Sequence, residues 1–346
     1  MLIELIVTIA TIAIVAKFLP SFILLSKFAY PNAKFSAIPY PYIKERELSR
    51  LLELKNLEEF KNNVVSRDFI IEGEDANEVQ KSIDKALAKI ITMAKSDSPR
   101  KVRKFYDVYL EKLDVDSIKK AVRNIIEEKE LEEYVAFSEE GKKLLQDLKG
   151  VEKEEAEKIL QQYGYEINFE MPIEEIEKEI DRKMMEKLFE VKLPNSCKKA
   201  RDKFVKILID VMNIKTILRG KYYGLKNIER SLIYNGWEIS EWQMKELLKI
   251  DSIAEIISML EGTSYMPFLR QAIVDFEKEG VVALERALDK YIIKAAREIA
   301  NENPLGLGPG IRFIVEKEYE ARNLKAIAKA IAEGMQKEAW KVLVVE

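Results

Sequence analysis

The sequence predicts an all-α protein of three similar helical units, preceded by an apolar N-terminal helix. Three observations lead there. Glycine and proline together make up 23 of 346 residues, about 7% against roughly 12% in average usage. Charged residues make up 34% of the chain, and few breakers with many charges favour long helices laced with ion pairs. The third observation is internal repetition, because two residue patterns each recur three times in the same order. Repetition sets architecture, since each copy is one unit that buries its apolar face against its neighbours.

Residues 5–26 read LIVTIATIAIVAKFLPSFILLS, interrupted only by Lys17 and Pro20. A helix of that length spans about 30 Å, the thickness of a bilayer's hydrocarbon core. The β-branched run would make a poor helix in water; lipid removes that objection because backbone groups there must pair internally. Lys17 opposes a span, since a lysine at mid-bilayer costs about 2.5–3.5 kcal/mol. No positive stretch precedes the segment, which argues against a secretory signal. Lys27 and Lys34 follow it and Glu4 precedes it, which places the body on the cytoplasmic side of a cell membrane. Residues 1–29 are expected to cross that membrane, lie along it, or be covered by protein. Pro31, Pro39 and Pro41 then predict a stiff connector, because three prolines in eleven residues block a continuous helix.

The first repeated pattern runs from a leucine to an aromatic eighteen positions later: Leu51 to Phe69, Leu145 to Tyr163, Leu247 to Tyr265. Asn56, Gly150 and Ser252 fall at a polar break in each copy, predicting a short helix, a stop and a new start. The second pattern opens at Asp114, Asp210 and Glu320. Each copy continues with Ser or Asn three residues on, then a lysine, then a base six positions beyond the Ser or Asn. Anchors of the first pattern recur after 94 and 102 residues, those of the second after 96 and 110. The body therefore divides into units at 30–138, 139–240 and 241–346. Phe204, Ile207, Leu208, Val211, Ile214 and Leu218 keep helical spacing, so the middle copy lies on a long amphipathic helix. Residues at i and i+3 share a face, so Asp210 and Asn213 point one way, as do Glu320 and Asn323. An Asn bordering an apolar stripe needs partners; its amide is expected to bind a neighbouring helix end and fix helix docking.

Catalytic chemistry has little to work with. The chain has no histidine, which excludes Ser-His-Asp triads, imidazole-bound zinc and histidine proton shuttles. One cysteine, Cys197, excludes an intrachain disulfide and a thiolate cluster; it reads as a small filler on a helix. No cofactor or metal site is expected. Gly306-Leu-Gly308-Pro-Gly310 lacks the Lys-Ser or Lys-Thr of a phosphate loop and follows no strand, so it reads as a connector before the last helix. Acidic clusters at 152–157 and 174–181 read as solvated helix faces. With 57 basic against 60 acidic residues, Lys101, Arg103 and Lys104 beside Phe105 and Tyr106 are not expected to bind nucleic acid. Trp237 and Trp242 read as core anchors.

Two segments carry a family resemblance. Residues 309–327, PGIRFIVEKEYEARNLKAI, resemble the C-terminal signature of the C subunit of archaeal A-type and related V-type ATP synthases, the counterpart of the V-type d subunit. Residues 210–224, DVMNIKTILRGKYYG, look like the same family's middle signature, and the resemblance covers about 30–346. It implies a funnel of three helical domains about a pseudo-threefold axis, seated on the membrane rotor ring and receiving the foot of the central stalk, formed by the D and F subunits. It implies a noncatalytic part that carries torque in ion-driven ATP synthesis and takes no small-molecule substrate. Residues 1–29 would then attach to the membrane or plug the ring's lumen. Within the signatures, Asp210, Asn213, Arg219, Lys221, Lys317, Glu318, Glu320 and Asn323 are candidates for partner-facing or inter-unit seams. The chain departs from the family at its start: Asn32-Ala33-Lys34 stands where the family opens on Asn-Ala-Arg, after an apolar extension and among the prolines. Two other readings remain. One is a membrane-anchored α-helical repeat scaffold with other partners; the other is an enzyme, which would have only paired carboxylates as acid and base.

Overall fold

A computed structural model describes residues 2–64, 68–129 and 134–346; within the first helix the side chains of residues 2–6, 9, 10, 13, 14, 17, 18, 20 and 21 lie outside the description. The described residues form α-helices and no strand. The chain opens with α1 (Leu2–Ala37), then a short pair, α2 (Glu45–Leu52) and α3 (Leu57–Asn63), and a long pair, α4 (Ala76–Asp97) and α5 (Arg103–Ile126). A second short pair, α6 (Glu139–Asp147) and α7 (Lys153–Gln162), precedes the long α8 (Ile173–Glu190) and α9 (Asn195–Tyr222). A third, α10 (Glu241–Lys249) and α11 (Ile253–Met259), leads through α12 (Met266–Glu279) to the long α13 (Val281–Glu302) and α14 (Gly308–Glu333), with α15 (Gln336–Ala339) last. Buried apolar side chains, among them Ile83, Phe105, Phe204, Leu284 and Leu324, make one continuous core along the long helices.

Each leucine-to-aromatic pattern lies across a short pair. Asn56 and Ser252 cap the second helix of their pairs, accepting from the N–H groups of Glu59 and Glu255. Gly150 takes φ +76° just beyond α6, the left-handed stop that glycine permits.

The acids of the second pattern sit on α5, α9 and α14, fully buried, and each holds the chain entering a short pair. Asp114 accepts from the backbone N–H groups of Phe137 (2.6 Å) and Ser138 (3.1 Å) and from the Ser138 hydroxyl, just before α6. Asp210 accepts from the N–H groups of Trp237, Glu238 and Ile239 at 2.7–3.2 Å and from the Tyr265 hydroxyl, just before α10. Glu320 accepts from the N–H of Tyr42 at 2.9 Å, just before α2. The third latch therefore joins residues 278 apart and ties the last long helix to the first short pair. Close approach needs glycine at two latches: a Cβ on Gly141 would stand 2.1 Å from Asp114 Oδ2, and one on Gly236 1.7 Å from Asp210 Oδ1.

The asparagines grip loop backbone, not the helix ends expected from sequence. Asn213 donates to the Ile233 carbonyl and accepts from its N–H. Asn323 donates to the carbonyls of Tyr42 and Val344 and accepts from the Val344 N–H. An extended segment exposes both backbone groups to a side-chain amide, whereas a helix end offers only one kind.

Several sequence expectations need correction. α1 runs on through Pro31, so the connector shortens to 38–40 and a 3-10 turn at Pro41–Ile43; the face bearing Phe28, Pro31, Asn32 and Phe35 is buried, and packing outweighs one lost helix bond. Trp237 and Trp242 are 41% and 64% exposed, so neither anchors a core. Gly308, Pro309 and Gly310 form the first turn of α14, where proline's missing N–H goes unneeded. In the 174–181 cluster Glu177 and Asp181 face α5 and pair with Arg123 and Lys119. Phe105 and Tyr106 are buried and leave no stacking surface beside the basic patch. Cys197 meets its expectation as a small filler, buried on α9.

Among the described residues no helix is long and apolar enough to cross a membrane; the side chains of Lys17 and Pro20 lie outside the description. The described part of α1 exposes Val7, Ile12, Val15, Leu19, Phe22 and Ile23 at 44–69%. Its last turns are fastened to the body. Asn32 donates to the carbonyls of Pro304 and Gly306, Lys34 pairs with Asp97 at 2.7 Å, and Phe35 stacks on Phe313.

Asn213→Leu leaves both backbone groups of Ile233 buried without that partner. The expected loss is about 2–4 kcal/mol of unfolding free energy, measured by urea titration, with an unchanged midpoint counting against the amide's role.

Candidate functional site

The lysines of the second pattern form the same seam three times. Lys119 on α5 pairs with Asp181 on α8 at 2.6 Å, and Lys215 on α9 with Asp289 on α13 at 2.7 Å. Lys325 on α14 pairs with Asp84 on α4 at 2.6 Å, so the third seam returns to the first long pair. The bases four residues further on repeat this contact twice: Arg123 pairs with Glu177, and Arg219 with Glu285 at 2.6 Å. Each glutamate lies four residues before the seam aspartate. At the third seam that position is Gln80, and Lys329 reaches Glu333 of its own helix at 3.9 Å instead.

Electrostatics grade the seams. Burial pushes the Asp289 carboxyl up, but Lys215 and Arg322 outweigh it and hold the group down at about 2. Burial raises both Asp181 and Asp84 above the ordinary carboxylate value, outweighing Lys119 at the first and Lys325 with Lys120 at the second. Burial also lifts the latch acids, Asp114 to about 6 and Glu320 to about 7, and raises Asp210. Around Glu320, buried Lys317 bridges its carboxylate at 2.8 Å to Asp68 at 2.7 Å and donates to the Pro39 carbonyl.

Between α4, α5, α9 and α14 lies a polar cavity of about 910 Å³. The three long helices bearing the second pattern, α5, α9 and α14, all contribute to its wall. Cations predominate in the wall, and the Lys325–Asp84 seam lies within it.

The eight residues singled out from sequence fall in four places. Lys317, Glu320 and Asn323 converge on the Tyr42 loop, whereas Asp210 and Asn213 hold the 233–239 loop. Arg219 and Glu318 reach the cavity, Glu318 accepting from the Tyr109 hydroxyl at 2.5 Å and pairing with Lys112 at 2.8 Å. Lys221 lies apart, paired with exposed Asp251. Sequence reasoning missed the seam acids Asp84, Asp181 and Asp289. Their spacing of 97 and 108 residues follows the repeat and was the available signal.

A family model described as ATP synthase (C/AC39) subunit matches residues 31–342. Among similar proteins, the A-type ATP synthase C subunit of Methanothermobacter thermautotrophicus is 30% identical over 94% of this chain and 87% of its own length. The protein of that name from Methanocaldococcus jannaschii is 29% identical over 93% of this chain and 87% of its own. That of Pyrococcus abyssi is 27% identical, with coverages of 92% and 90%.

Because the Glu320 carboxyl titrates higher folded than unfolded, the folded state holds a proton that the unfolded chain has released between about pH 4.5 and 7. Its contribution is therefore greatest on the acid side and is lost as pH rises through that window, on the order of 1–3 kcal/mol. Glu320→Gln should flatten stability against pH there; an unaltered profile would remove the carboxylate from the account. Gln80→Glu should supply the missing pair to Lys329 and add about 0.2–1 kcal/mol, read as a small rise in melting temperature that is absent when Lys329→Ala is combined with it.

Proposed function

The chain belongs to the ATP synthase (C/AC39) subunit family, and from that footing we propose that it is the noncatalytic coupling subunit between the central stalk and the membrane rotor ring. Three units, 30–138, 139–240 and 241–346, stand about a pseudo-threefold axis, and the central cavity receives the stalk foot, formed by the D and F subunits. The opposite face of the body seats on the ring. Torque passes through the subunit during ion-driven ATP synthesis, with the body on the cytoplasmic side.

The observation that carries this reading is the recurring seam: three Lys–Asp pairs linking α5 to α8, α9 to α13, and α14 back to α4. A body tied in cyclic order resists being prised open at one joint, and close-packed helices deform little under load. A torque coupler needs that stiffness. The exposed apolar side chains of α1 support attachment of residues 1–29 to lipid, either in the surrounding bilayer or in the ring's lumen, because large uncovered apolar faces mark interaction surfaces.

In synthase solubilised from membranes, the chain is expected to remain with the rotor ring and the D and F subunits when the catalytic head is stripped by high salt. Deleting residues 2–26 is expected to leave the helical content of the body unchanged while lowering retention on the ring. A ring and stalk that stay joined without this chain would overturn the proposal.

A further inference from the structure

The three long helix pairs turn at matching places. Pro99, Pro194 and Pro304 stand in the turns from α4 to α5, α8 to α9 and α13 to α14, 95 and 110 residues apart. Contacts gather those turns at the root of α1. Asn32 donates to the carbonyls of Pro304 and Gly306, Lys34 pairs with Asp97 at the end of α4, and Asn303 donates to the Ser196 carbonyl at 2.9 Å. The cavity is lined by parts of these helices remote from the turns, from Gln80 on α4 to Arg219 on α9, so the turns mark the opposite end of the body.

This end is basic after its ion pairs are counted. Residues 94–104, 189–203 and 301–308 hold four acids. Lys34, Arg201 and Lys203 answer Asp97, Asp202 and Glu302, which leaves Glu190. Lys27, Arg100, Lys101, Lys192, Lys198 and Lys199 are exposed, and none of them forms an ion pair among the described residues. Beside them α1 is apolar. Every described side chain from Val7 to Ile23 is exposed. The hydroxyls of Thr11 and Ser26 bond back to the Val7 and Ile23 carbonyls at 2.8 and 2.9 Å, which spares them a need for water. Lys27 precedes Asn32 by five residues, about 7.5 Å along the helix, the depth of a headgroup layer. Exposed Tyr30 between them has the polar-tipped ring favoured at that level.

We propose that this basic collar binds the phosphates of anionic lipid headgroups while α1 enters the hydrocarbon beyond them. This rests on the reading that residues 1–29 attach to lipid, and it names the lipid's chemistry. Burial of an apolar helix and attraction of basic side chains to anionic lipid add to one another. The attraction dies away within a screening length, about 10 Å at 0.1 M salt and about 3 Å at 1 M.

The test is flotation of the purified full-length chain with vesicles of phosphatidylcholine alone, or of phosphatidylcholine and phosphatidylglycerol in equal parts. The anionic vesicles are expected to bind the chain more tightly at low salt, the difference closing at about 1 M. Lys101→Gln, Lys198→Gln and Lys199→Gln together are expected to weaken anionic binding about a hundredfold, with neutral binding and the circular dichroism melt unchanged. The same neutralisation at exposed Lys142, Lys143 and Lys149 is expected to cost far less. Equal binding to both vesicles would overturn the collar and leave attachment of α1 to lipid standing. Binding to neither would overturn both. A triple variant that loses its hold on the rotor ring yet keeps its preference for anionic vesicles would overturn lipid recognition and assign the collar to carboxylates of the ring.

Discussion

One carboxylate holding one backbone N–H closes this molecule. Asp114 and Asp210 act on loops fewer than thirty residues along the chain, but Glu320 must find Tyr42 across 278. Closing the longer loop costs about 2 kcal/mol more by chain statistics. The third joint is the most heavily furnished. Asn323 ties the Tyr42 and Val344 backbones together, Lys317 bridges Glu320 to Asp68, and the Glu346 N–H donates to the Ile43 carbonyl. Extra bonds fall where chain entropy opposes closure most.

Ion pairs in the seams contribute less to stability than their number suggests, since desolvation offsets much of the attraction for buried charges. Their effect is selectivity. A lysine on one long helix and an aspartate on the next accept only one axial register between the two, because a slip by one turn moves the charge about 5.4 Å. Apolar packing along α14 and α4 would tolerate more slippage than Lys325 and Asp84 do. Three seams with the same rule keep three helix pairs in step.

Fold class and the recurrence of the two residue patterns are readable from sequence because both rest on local spacing. The lysine of each second-pattern copy is visible there, but its partner is not: Asp181, Asp289 and Asp84 lie on other helices, and no window of sequence contains both ends of a seam. A polar residue on an apolar face marks Asn213 and Asn323 as docking groups, yet it does not reveal whether a helix end or a loop will meet them. Aromatic character gives no direction, which is why Trp237 and Trp242 read as core from sequence; Trp237 sits in the loop whose backbone Asp210 holds, and Trp242 on the first turn of α10. The run of α1 through Pro31 is hidden because the packing of Phe35 on Phe313 is a contact between opposite ends of the chain.

α14 gathers these threads. Its first turns carry Phe313, which stacks against the root of α1, and Arg312, which donates to the Tyr40 hydroxyl. Its middle bears Lys317, Glu318 and Glu320, which respectively hold the entering loop, α5 and the closing latch. Its later turns present Arg322 and Lys325 to the cavity. A helix is stiff along its axis because every turn is hydrogen-bonded to the next. Force applied at the α1 root therefore reaches the cavity wall through a single continuous element, without crossing a loop. One helix thus joins the root of α1 to the wall of the cavity.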